Sequence, residues 1–259
     1  MKKVVFSTWC TDDYVDKVGL DGLKNSLAYF HPDIPLVVYD SAATSRLYKE
    51  HGDWLRPYFM MPPTCLELAN DYDMVIHIDA DSTVTGPLTE LIESDEEIIG
   101  VRNNNSYGKA GYMGGVTISN IPLFEFLNAG LVGSNGSRFL EDWNIANQQV
   151  GNYHDGHEQD TLNLMFQSGH YSTKILDPLG SDISYGQSNV WGTETHWDSW
   201  KELYVKDDNL YLDDPNTNLS MHVKVLHQAG GPASVYPMRP WMDSLVSDEV
   251  KLFFQKITQ

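Results

Sequence analysis

One short segment constrains the fold and the chemistry of this chain more than any other. It reads Met-Val-Ile-His-Ile-Asp-Ala-Asp-Ser and spans residues 74–82. Residues 74–78 form a nearly unbroken apolar run with acidic residues on both sides, which favours a central parallel strand covered on both faces. In an open α/β sheet, ligands bind at the carboxyl ends of such strands. The segment therefore predicts a buried strand that delivers Asp79 and Asp81 to a binding site.

The first part of the chain alternates strand patterns with helix patterns. Strands are predicted at 4–7 and 36–39, and the second strand is closed by Asp40 and a Ser/Ala/Thr turn. Pro62 with Pro63 suits the first turn of a helix at 64–70. Between the two strands, apolar residues recur with the spacing of one helix face: Val15, Val18, Leu23, Leu27 and Phe30. This order predicts an α/β fold that opens with a right-handed βαβ unit.

The second half of the chain gives a mixed pattern. Its predicted strands are 98–101, 112–119, 171–176 and 221–226, and its predicted helices are 137–149 and 158–166. The segment 180–219 is polar and aromatic without a clear period, so we expect it to be irregular and functional. No repeat or linker-like stretch divides the 259 residues, which predicts a single domain over 1–259.

The net charge of −19 limits the partners of this protein. Nucleic acid and anionic membrane surfaces both require a basic footprint, so neither is expected as a direct partner. A protein this acidic can bind a diphosphate only where a cation offsets the local charge. A phosphorylated substrate would therefore require a bound divalent metal.

The termini, hydropathy and cysteines indicate a cytoplasmic protein. The three apolar residues after Lys2 and Lys3 are too few for a signal peptide, and no uncharged apolar run approaches the roughly 20 residues of a membrane span. Cys10 and Cys65 lack a metal-type spacing and are read as reduced thiols. We therefore expect a cytoplasmic location without an integral membrane segment.

The Asp-Ala-Asp sequence has the chemistry of a metal site. In an extended strand, residues two apart point the same way, so Asp79 and Asp81 can converge on one cation. Ala80 between them is small enough for a ligand to approach the backbone. Carboxylate oxygens suit Mg²⁺ or Mn²⁺, ions that often complete their shell with phosphate oxygens. The alternative is a solvated acidic loop that caps a helix.

Four separated pieces of the chain carry a family resemblance. They are residues 7–14 after the first strand, residues 78–81, Asn128-Ala129-Gly130 together with Glu158-Gln159-Asp160, and residues 225–230, which read Val-Leu-His-Gln-Ala-Gly. In order and approximate spacing the chain resembles the metal-dependent transferases of the glycogenin and lipopolysaccharide galactosyltransferase type, glycosyltransferase family 8. The resemblance implies a GT-A fold, with a mixed, mostly parallel sheet flanked by helices, and hexosyltransferase activity.

The resemblance also implies a third metal ligand and a nucleotide pocket. His227 would complete the metal site, and imidazole suits Mn²⁺ better than Mg²⁺. Gly230 would let the backbone approach the diphosphate, and Arg239 would clamp it by forked contacts. Three residues would line the nucleotide pocket: Thr8, Cys10 and Tyr14. Tyr14 would stack on the base, or it is an ordinary aromatic residue of a first helical turn.

Three further residues would hold the donor sugar or face its reacting carbon. Asn128, Gln159 and Asp160 carry amides and a carboxylate, groups that match sugar hydroxyls. The structural alternatives are turn chemistry for Asn128 and an acidic helix N-terminus for the other two. The resemblance implies retention of anomeric configuration, with either Gln159 or Asp160, or the departing phosphate, assisting the reaction.

The function predicted from the sequence is transfer of a hexose, glucose or galactose, from a UDP-sugar to a carbohydrate or glycosylated acceptor. The irregular segment 180–219 is expected to serve the acceptor side. Mn²⁺ is the expected cofactor, with Mg²⁺ as the alternative. A sugar nucleotidyltransferase would use a related sheet and metal, but its glycine-rich first loop is missing here. The other alternative is a carbohydrate-binding protein that keeps the metal site without turnover.

Overall fold

A computed structural model describes residues 2–12, 20–52, 55, 59–102, 127–151, 158–176, 184–187, 203–213, 220–227 and 246–259. The chain divides into two compact units. The first unit consists of Met1–Thr11, Pro35–Ile78 and Leu91–Leu176, and the second consists of Asp12–Ile34, Asp79–Glu90 and Asp177–Gln259. The single domain expected over 1–259 stays a prediction.

Eleven strands and seven helices lie within the described residues. The strands are β1 (Val4–Trp9), β2 (Leu36–Tyr39), β3 (Met74–Ile78), β4 (Ser82–Val84), β5 (Ile98–Arg102), β6 (Leu127–Asn135), β7 (Thr173–Leu176), β8 (Ser184–Gln187), β9 (Tyr204–Lys206), β10 (Asn209–Asp213) and β11 (Ser220–His227). The helices are α1 (Leu20–Phe30), α2 (Ser41–His51), α3 (Met61–Leu68), α4 (Thr89–Ile92), α5 (Arg138–Gly151), α6 (Glu158–Gln167) and α7 (Asp248–Thr258).

The first unit is built on a six-stranded mixed sheet with the order β2-β1-β3-β6-β5-β7. Strands β2, β1 and β3 are parallel neighbours, as are β5 and β7. Strand β6 runs antiparallel to both β3 and β5. Every residue of β3 is buried, as its apolar sequence predicts. This mixed, mostly parallel sheet with flanking helices confirms the predicted fold class.

The helices of the first unit cover its sheet with a large apolar core. Helix α3 packs on β1 and β3, and α6 packs on β6. Pro62 and Pro63 occupy the first turn of α3, as the sequence predicts. Twelve buried residues form the main cluster: Val5, Met61, Cys65, Val75, Ile98, Leu127, Ala129, Val132, Phe139, Leu140, Trp143 and Leu162. Val5 of β1 and Val75 of β3 belong to this core, which packs the two central strands against the helices.

The second unit contains a five-stranded sheet with the order β4-β11-β10-β9, in which β8 pairs parallel to β11. A two-residue hairpin joins β9 to β10. Both of its residues, Asp207 and Asp208, have positive φ (51° and 60°), as a type I′ turn requires. Helix α7 packs its buried face, which includes Phe253 and Phe254, against this sheet. Within the described residues, no helix has the length and apolar character that a membrane crossing requires.

The structure differs from the sequence-based expectations in two places, and a third expectation is not tested. The segment 180–219 contains β8, β9 and β10, so it is more regular than predicted, and its acceptor role stays a prediction. Helix α2 occupies a stretch that the sequence presents as a turn after Asp40. The strand predicted at 112–119 lies outside the described residues.

Candidate metal centre

The backbone between β3 and β4 makes a tight turn that begins at Asp79. The amide N–H of Ser82 donates to the carbonyl oxygen of Asp79 at 3.0 Å, and β4 starts at Ser82. The expectation that Asp79 and Asp81 converge because they lie in an extended strand is therefore wrong. A turn brings the two carboxylates together instead, and Ala80 is the buried residue between them.

Pairing between β4 and β11 brings His227 to the same place. The two strands are antiparallel, and His227 lies opposite Ser82 in the ladder. Asp81 is the residue that precedes Ser82 in the chain. The His227 ring therefore lies beside Asp81 at the end of the ladder. The strand predicted before His227 is confirmed. The register of the ladder pairs His227 with Ser82, which lies 145 positions earlier in the sequence.

The three side chains form a compact set of metal-ligating atoms. The Nε2 atom of His227 lies 3.2 Å from Asp79 Oδ2 and 3.1 Å from Asp81 Oδ1. One ligand atom from each residue lies within 4.8 Å of the other two. Two carboxylate oxygens and one imidazole nitrogen suit a divalent cation such as Mn²⁺. The residues present therefore fit a divalent metal ion.

The charges of the two aspartates and the imidazole act on one another. Burial disfavours a charged imidazole, but the attraction and hydrogen bonds of Asp81 and Asp79 outweigh it and raise the pKa of His227 to about 10. Burial also raises the pKa of Asp81, against the opposing effect of His227. The charges and hydrogen bonds of Asp81 and Asp79 thus favour the protonated form of the His227 imidazole. Metal binding must displace this proton, since an imidazole nitrogen that binds metal is deprotonated.

Buried hydrogen bonds hold β4 and Thr85, the residue that follows it, against β11 and helix α1. Thr85 donates its hydroxyl to the carbonyl oxygen of Val223 at 2.6 Å, and its backbone N–H donates to that of Lys224 at 2.8 Å. On helix α1, the hydroxyl oxygen of Ser26 accepts from the backbone N–H of Val84 at 3.0 Å. Ser26 is completely buried and was not predicted from the sequence. The sequence feature that could have indicated this role is a serine on the apolar face of a predicted helix.

The first unit places the residues predicted to bind the donor sugar on β6 and α6. Asn128 lies in β6, and Gln159 and Asp160 lie in the first turn of α6. All three are buried. The backbone N–H of Ala129 donates to Gln159 Oε1 at 2.9 Å, and that of Gly130 donates to Asn128 Oδ1 at 2.7 Å. The structure thus brings the Asn-Ala-Gly and Glu-Gln-Asp pieces together.

Asn163 is a residue of this region that sequence reasoning missed. Its side chain makes a two-bond clasp with the backbone of Leu127: the Leu127 N–H donates to Oδ1 at 2.6 Å, and Nδ2 donates to the Leu127 carbonyl at 3.0 Å. The same Nδ2 donates to the carbonyl oxygen of Gln159 at 2.7 Å. The signal was an asparagine one helical turn after Gln159, at a position where a buried amide needs partners.

Of the three residues predicted to line the nucleotide pocket, the structure describes Thr8 and Cys10. Thr8 is a completely buried residue of β1, and Cys10 follows that strand with its N–H bonded to the carbonyl of Tyr39 at 3.0 Å. Cys10 and Cys65 are both buried free thiols, as the sequence suggests. Tyr14, Gly230 and Arg239 lie outside the described residues, so their predicted roles stay predictions.

Comparison with solved structures decides the fold. No protein-family model and no curated protein matches the sequence. The galactosyltransferase LgtC, solved with donor and acceptor sugar analogues, matches over 98% of this chain and 96% of its own, with a TM-score of 0.53 and 18% identity. This chain has the GT-A glycosyltransferase fold.

Two other glycosyltransferases have the same fold at low identity. The bifunctional glycosyltransferase WbbM aligns over 94% of this chain with a TM-score of 0.54 and 16% identity. This chain spans about half of WbbM, 51% of its length. A glycosyltransferase involved in glycosylation of the major capsid of the virus PBCV-1 aligns over 88% of this chain and 93% of its own, with a TM-score of 0.51 and 11% identity.

Proposed function

We propose that this protein is a metal-dependent glycosyltransferase that moves a sugar from a nucleotide diphosphate donor to an acceptor hydroxyl. The observation that carries the proposal is the cluster of Asp79, Asp81 and His227, whose ligand atoms lie within 4.8 Å of one another in a chain with a glycosyltransferase fold. A divalent cation held by these residues would stabilise the negative charge of the departing diphosphate.

Each residue of the proposed site has a binding role in this reaction. The two carboxylates and the imidazole hold the cation, and the turn from Asp79 to Ser82 fixes the spacing of the carboxylates. The strongly negative net charge makes a neutralising cation necessary for a diphosphate ligand. Thr8, Cys10 and Tyr14 are proposed for the nucleotide, and Asn128, Gln159 and Asp160 for the sugar. Gly230 and Arg239 are proposed for the diphosphate.

The finer assignment follows the family resemblance. We propose Mn²⁺ as the ion, uridine as the base, glucose or galactose as the sugar, and retention of anomeric configuration. LgtC is a galactosyltransferase, which makes UDP-galactose the first donor to test. A carbohydrate or glycosylated molecule is the proposed acceptor.

The deciding experiment measures release of nucleoside diphosphate from a panel of nucleotide sugars, with Mn²⁺ and with a chelator. Slow hydrolysis of the donor requires no knowledge of the acceptor. We expect release from one donor, dependent on Mn²⁺, and a loss of at least about 100-fold in Asp81→Asn and in His227→Ala, since each lacks a metal ligand. Asp95→Asn is the matched control, because Asp95 is an exposed carboxylate in a surface ion pair with Lys2.

Four results would contradict the proposal. Release that persists in the chelator, or full activity of folded Asp81→Asn, would remove the metal from the mechanism. Pyrophosphate release from a nucleoside triphosphate and a sugar phosphate would instead identify a sugar nucleotidyltransferase. Binding of a saccharide by a folded protein that turns over no donor would identify a carbohydrate-binding protein.

A further inference from the structure

One face of the sheet in the second unit carries a row of three stacked rings. Tyr204 of β9, Tyr211 of β10 and His222 of β11 lie opposite one another in the ladders. The ring centroids of Tyr204 and Tyr211 are 5.7 Å apart with 19° between the planes, and those of Tyr211 and His222 are 5.2 Å apart with 28°. Neighbouring residues of these strands point the other way, into the core with α7: Val205, Leu210, Leu212 and Val223. The row therefore lies on the face that points away from α7, and its three rings are half-buried.

One end of this aromatic row is closed and the other is open. At the closed end, a Cβ atom on Gly86 would lie 2.9 Å from Nε2 of His222, so the imidazole occupies the place of a side chain at position 86. At the open end, β9 is the last strand of the sheet, and no strand in the part of the chain that the structure describes pairs with its outer edge. Because stacked rings cover one another, Tyr204 is the ring of the row that keeps a face for a ligand.

Exposed hydrogen-bonding groups lie beside the Tyr204 hydroxyl. This hydroxyl donates to Asp213 Oδ1 at 3.0 Å and lies 2.7 Å from Ser220 Oγ, which itself donates to Asp213 Oδ1 at 2.7 Å. Asp213 and Ser220 are opposite each other in the ladder, and both are exposed. A pyranose ring has a C–H face that stacks on an aromatic ring, and hydroxyls that bond with carboxylates and hydroxyls. The open ring and the polar groups beside it therefore match the chemistry of a saccharide.

Charge and polarity argue against other classes of ligand at this surface. The net charge of −19 and the carboxylate of Asp213 disfavour an anionic ligand. A stable protein partner usually buries about 800 Å² on each side around an apolar centre. Polar residues instead flank Tyr204 on its own face, with Lys206 two residues along β9 and Asn209 opposite Lys206. A neutral saccharide therefore fits this surface better than an anionic ligand or a protein.

We propose that the aromatic row is a saccharide-binding surface, on which a neutral hexose ring stacks on Tyr204 and forms hydrogen bonds with Asp213 and Ser220. The row contains no metal-ligating residue and no residue proposed for the donor. His222 precedes His227 by five residues in β11, which is about 16 Å along an extended strand. Saccharide binding here therefore requires neither a metal ion nor a nucleotide, and it holds or fails independently of the proposed glycosyltransferase function.

The test measures binding of the full chain to an array of neutral glucose and galactose oligosaccharides, in a chelator and without nucleotide. We expect the wild type to bind at least one oligosaccharide, and Tyr204→Ala to bind it about tenfold more weakly because the stacking contact is lost. Tyr204→Phe keeps the ring and should keep most of the affinity. Tyr29→Ala is the matched control, because Tyr29 is an exposed tyrosine on helix α1 of the same unit, and it should bind like the wild type.

Several outcomes would overturn this inference. One is a folded wild type that binds none of the oligosaccharides, and another is unchanged affinity in folded Tyr204→Ala. An equal loss in Tyr204→Phe and Tyr204→Ala would assign the contact to the hydroxyl and remove the stacking on the ring. Self-association of the wild type that Tyr204→Ala abolishes, measured by analytical ultracentrifugation, would instead assign the surface to a second copy of this chain.

A second measurement covers the case in which Tyr204→Ala does not fold. Hydroxyl radicals oxidise accessible tyrosine rings of the wild type, and peptide mass spectrometry measures the extent at each residue. A saturating concentration of the bound oligosaccharide should lower the oxidation of Tyr204, whose ring it covers, and leave that of Tyr29 unchanged. Equal oxidation of Tyr204 with and without the oligosaccharide would overturn the inference without any substitution.

Discussion

Two histidines of the second unit show how the surroundings of one side chain set its chemistry. Burial lowers the pKa of His31 to about 4, because the loss of water disfavours the charged imidazole. His227 is more deeply buried, yet Asp81 and Asp79 raise its pKa to about 10. His31 is therefore neutral at pH 7, and its Nε2 accepts from the backbone N–H of Leu88 at 3.0 Å. Sequence position alone predicts neither state.

We predict that His31 makes the stability of the fold depend on pH. Its folded pKa lies below the unfolded value of about 6.5, so its contribution is complete above pH 6.5 and is lost as the pH falls toward 4. Urea unfolding at about pH 7 and about pH 5 should show a larger loss of stability in the wild type than in His31→Gln, by about 1 kcal/mol after allowance for its partial exposure. Glutamine keeps an acceptor for Leu88 but does not titrate. Equal losses in the two proteins would contradict this role of His31.

At the scale of the element, helix α2 begins with a side-chain cap. The carboxylate of Asp40 accepts from the backbone N–H groups of Ala42 and Ala43 at 3.0 and 2.9 Å. At the other end, Gly52 closes the helix with φ of 84°, a conformation that favours glycine. The stretch after Asp40 looks like a turn in sequence because serine, threonine and aspartate serve both turns and caps. The buried residues Thr44 and Leu47 decide in favour of the helix.

We predict that Asp40→Ala lowers the free energy of unfolding by about 1 kcal/mol, since two backbone N–H groups lose their acceptor. Asp40→Asn is the matched control and should change stability by only a few tenths of a kcal/mol, because asparagine caps helices equally well. Chemical unfolding curves with the same slope provide the comparison. A loss in the asparagine variant as large as in the alanine variant would point to charge and not capping as the contribution of Asp40.

Strand β6 and the β9–β10 hairpin show the limits of element prediction. The amino-terminal part of β6 contains Asn128 and Gly130, residues typical of turns, and only pairing with β3 and β5 and the bonds from α6 make it a strand. The hairpin turns on Asp207 and Asp208 in place of the usual glycine-containing pair, so its signal is weak. In both cases strand pairing in the folded protein stabilises an element that the local sequence indicates only weakly.

For the whole molecule, the excess of acidic residues causes electrostatic repulsion among the negative charges of the chain. The chain has 36 acidic against 17 basic residues, a net charge of −19. Two of these carboxylates, Asp79 and Asp81, lie together at one point of the second unit. Self-repulsion of this size destabilises the compact state and is screened by salt, because the Debye length shortens as ionic strength rises.

We predict that raising NaCl from about 0.01 M to about 0.15 M increases the thermal midpoint by about 3 °C, in a chelator that keeps divalent ions away. KCl should have the same effect, since screening does not depend on the identity of the ion. Differential scanning fluorimetry measures both series. A midpoint that is unchanged, or that falls with salt, would show that the charges of the folded state are arranged to attract and not to repel.

The sequence by itself determined the α/β class, the buried β3 strand, the two carboxylates that follow it and the fold expected from family resemblance. These depend on apolar runs, periodicity and short motifs, which are local properties of the chain. Tertiary structure decided the turn that brings Asp79 and Asp81 together, and the register that sets His227 opposite Ser82. It also decided the orientation of the Gln159 amide and the clasp of Asn163 on Leu127. These depend on which backbone groups remain unpaired after the sheet has formed, and no local pattern contains that information.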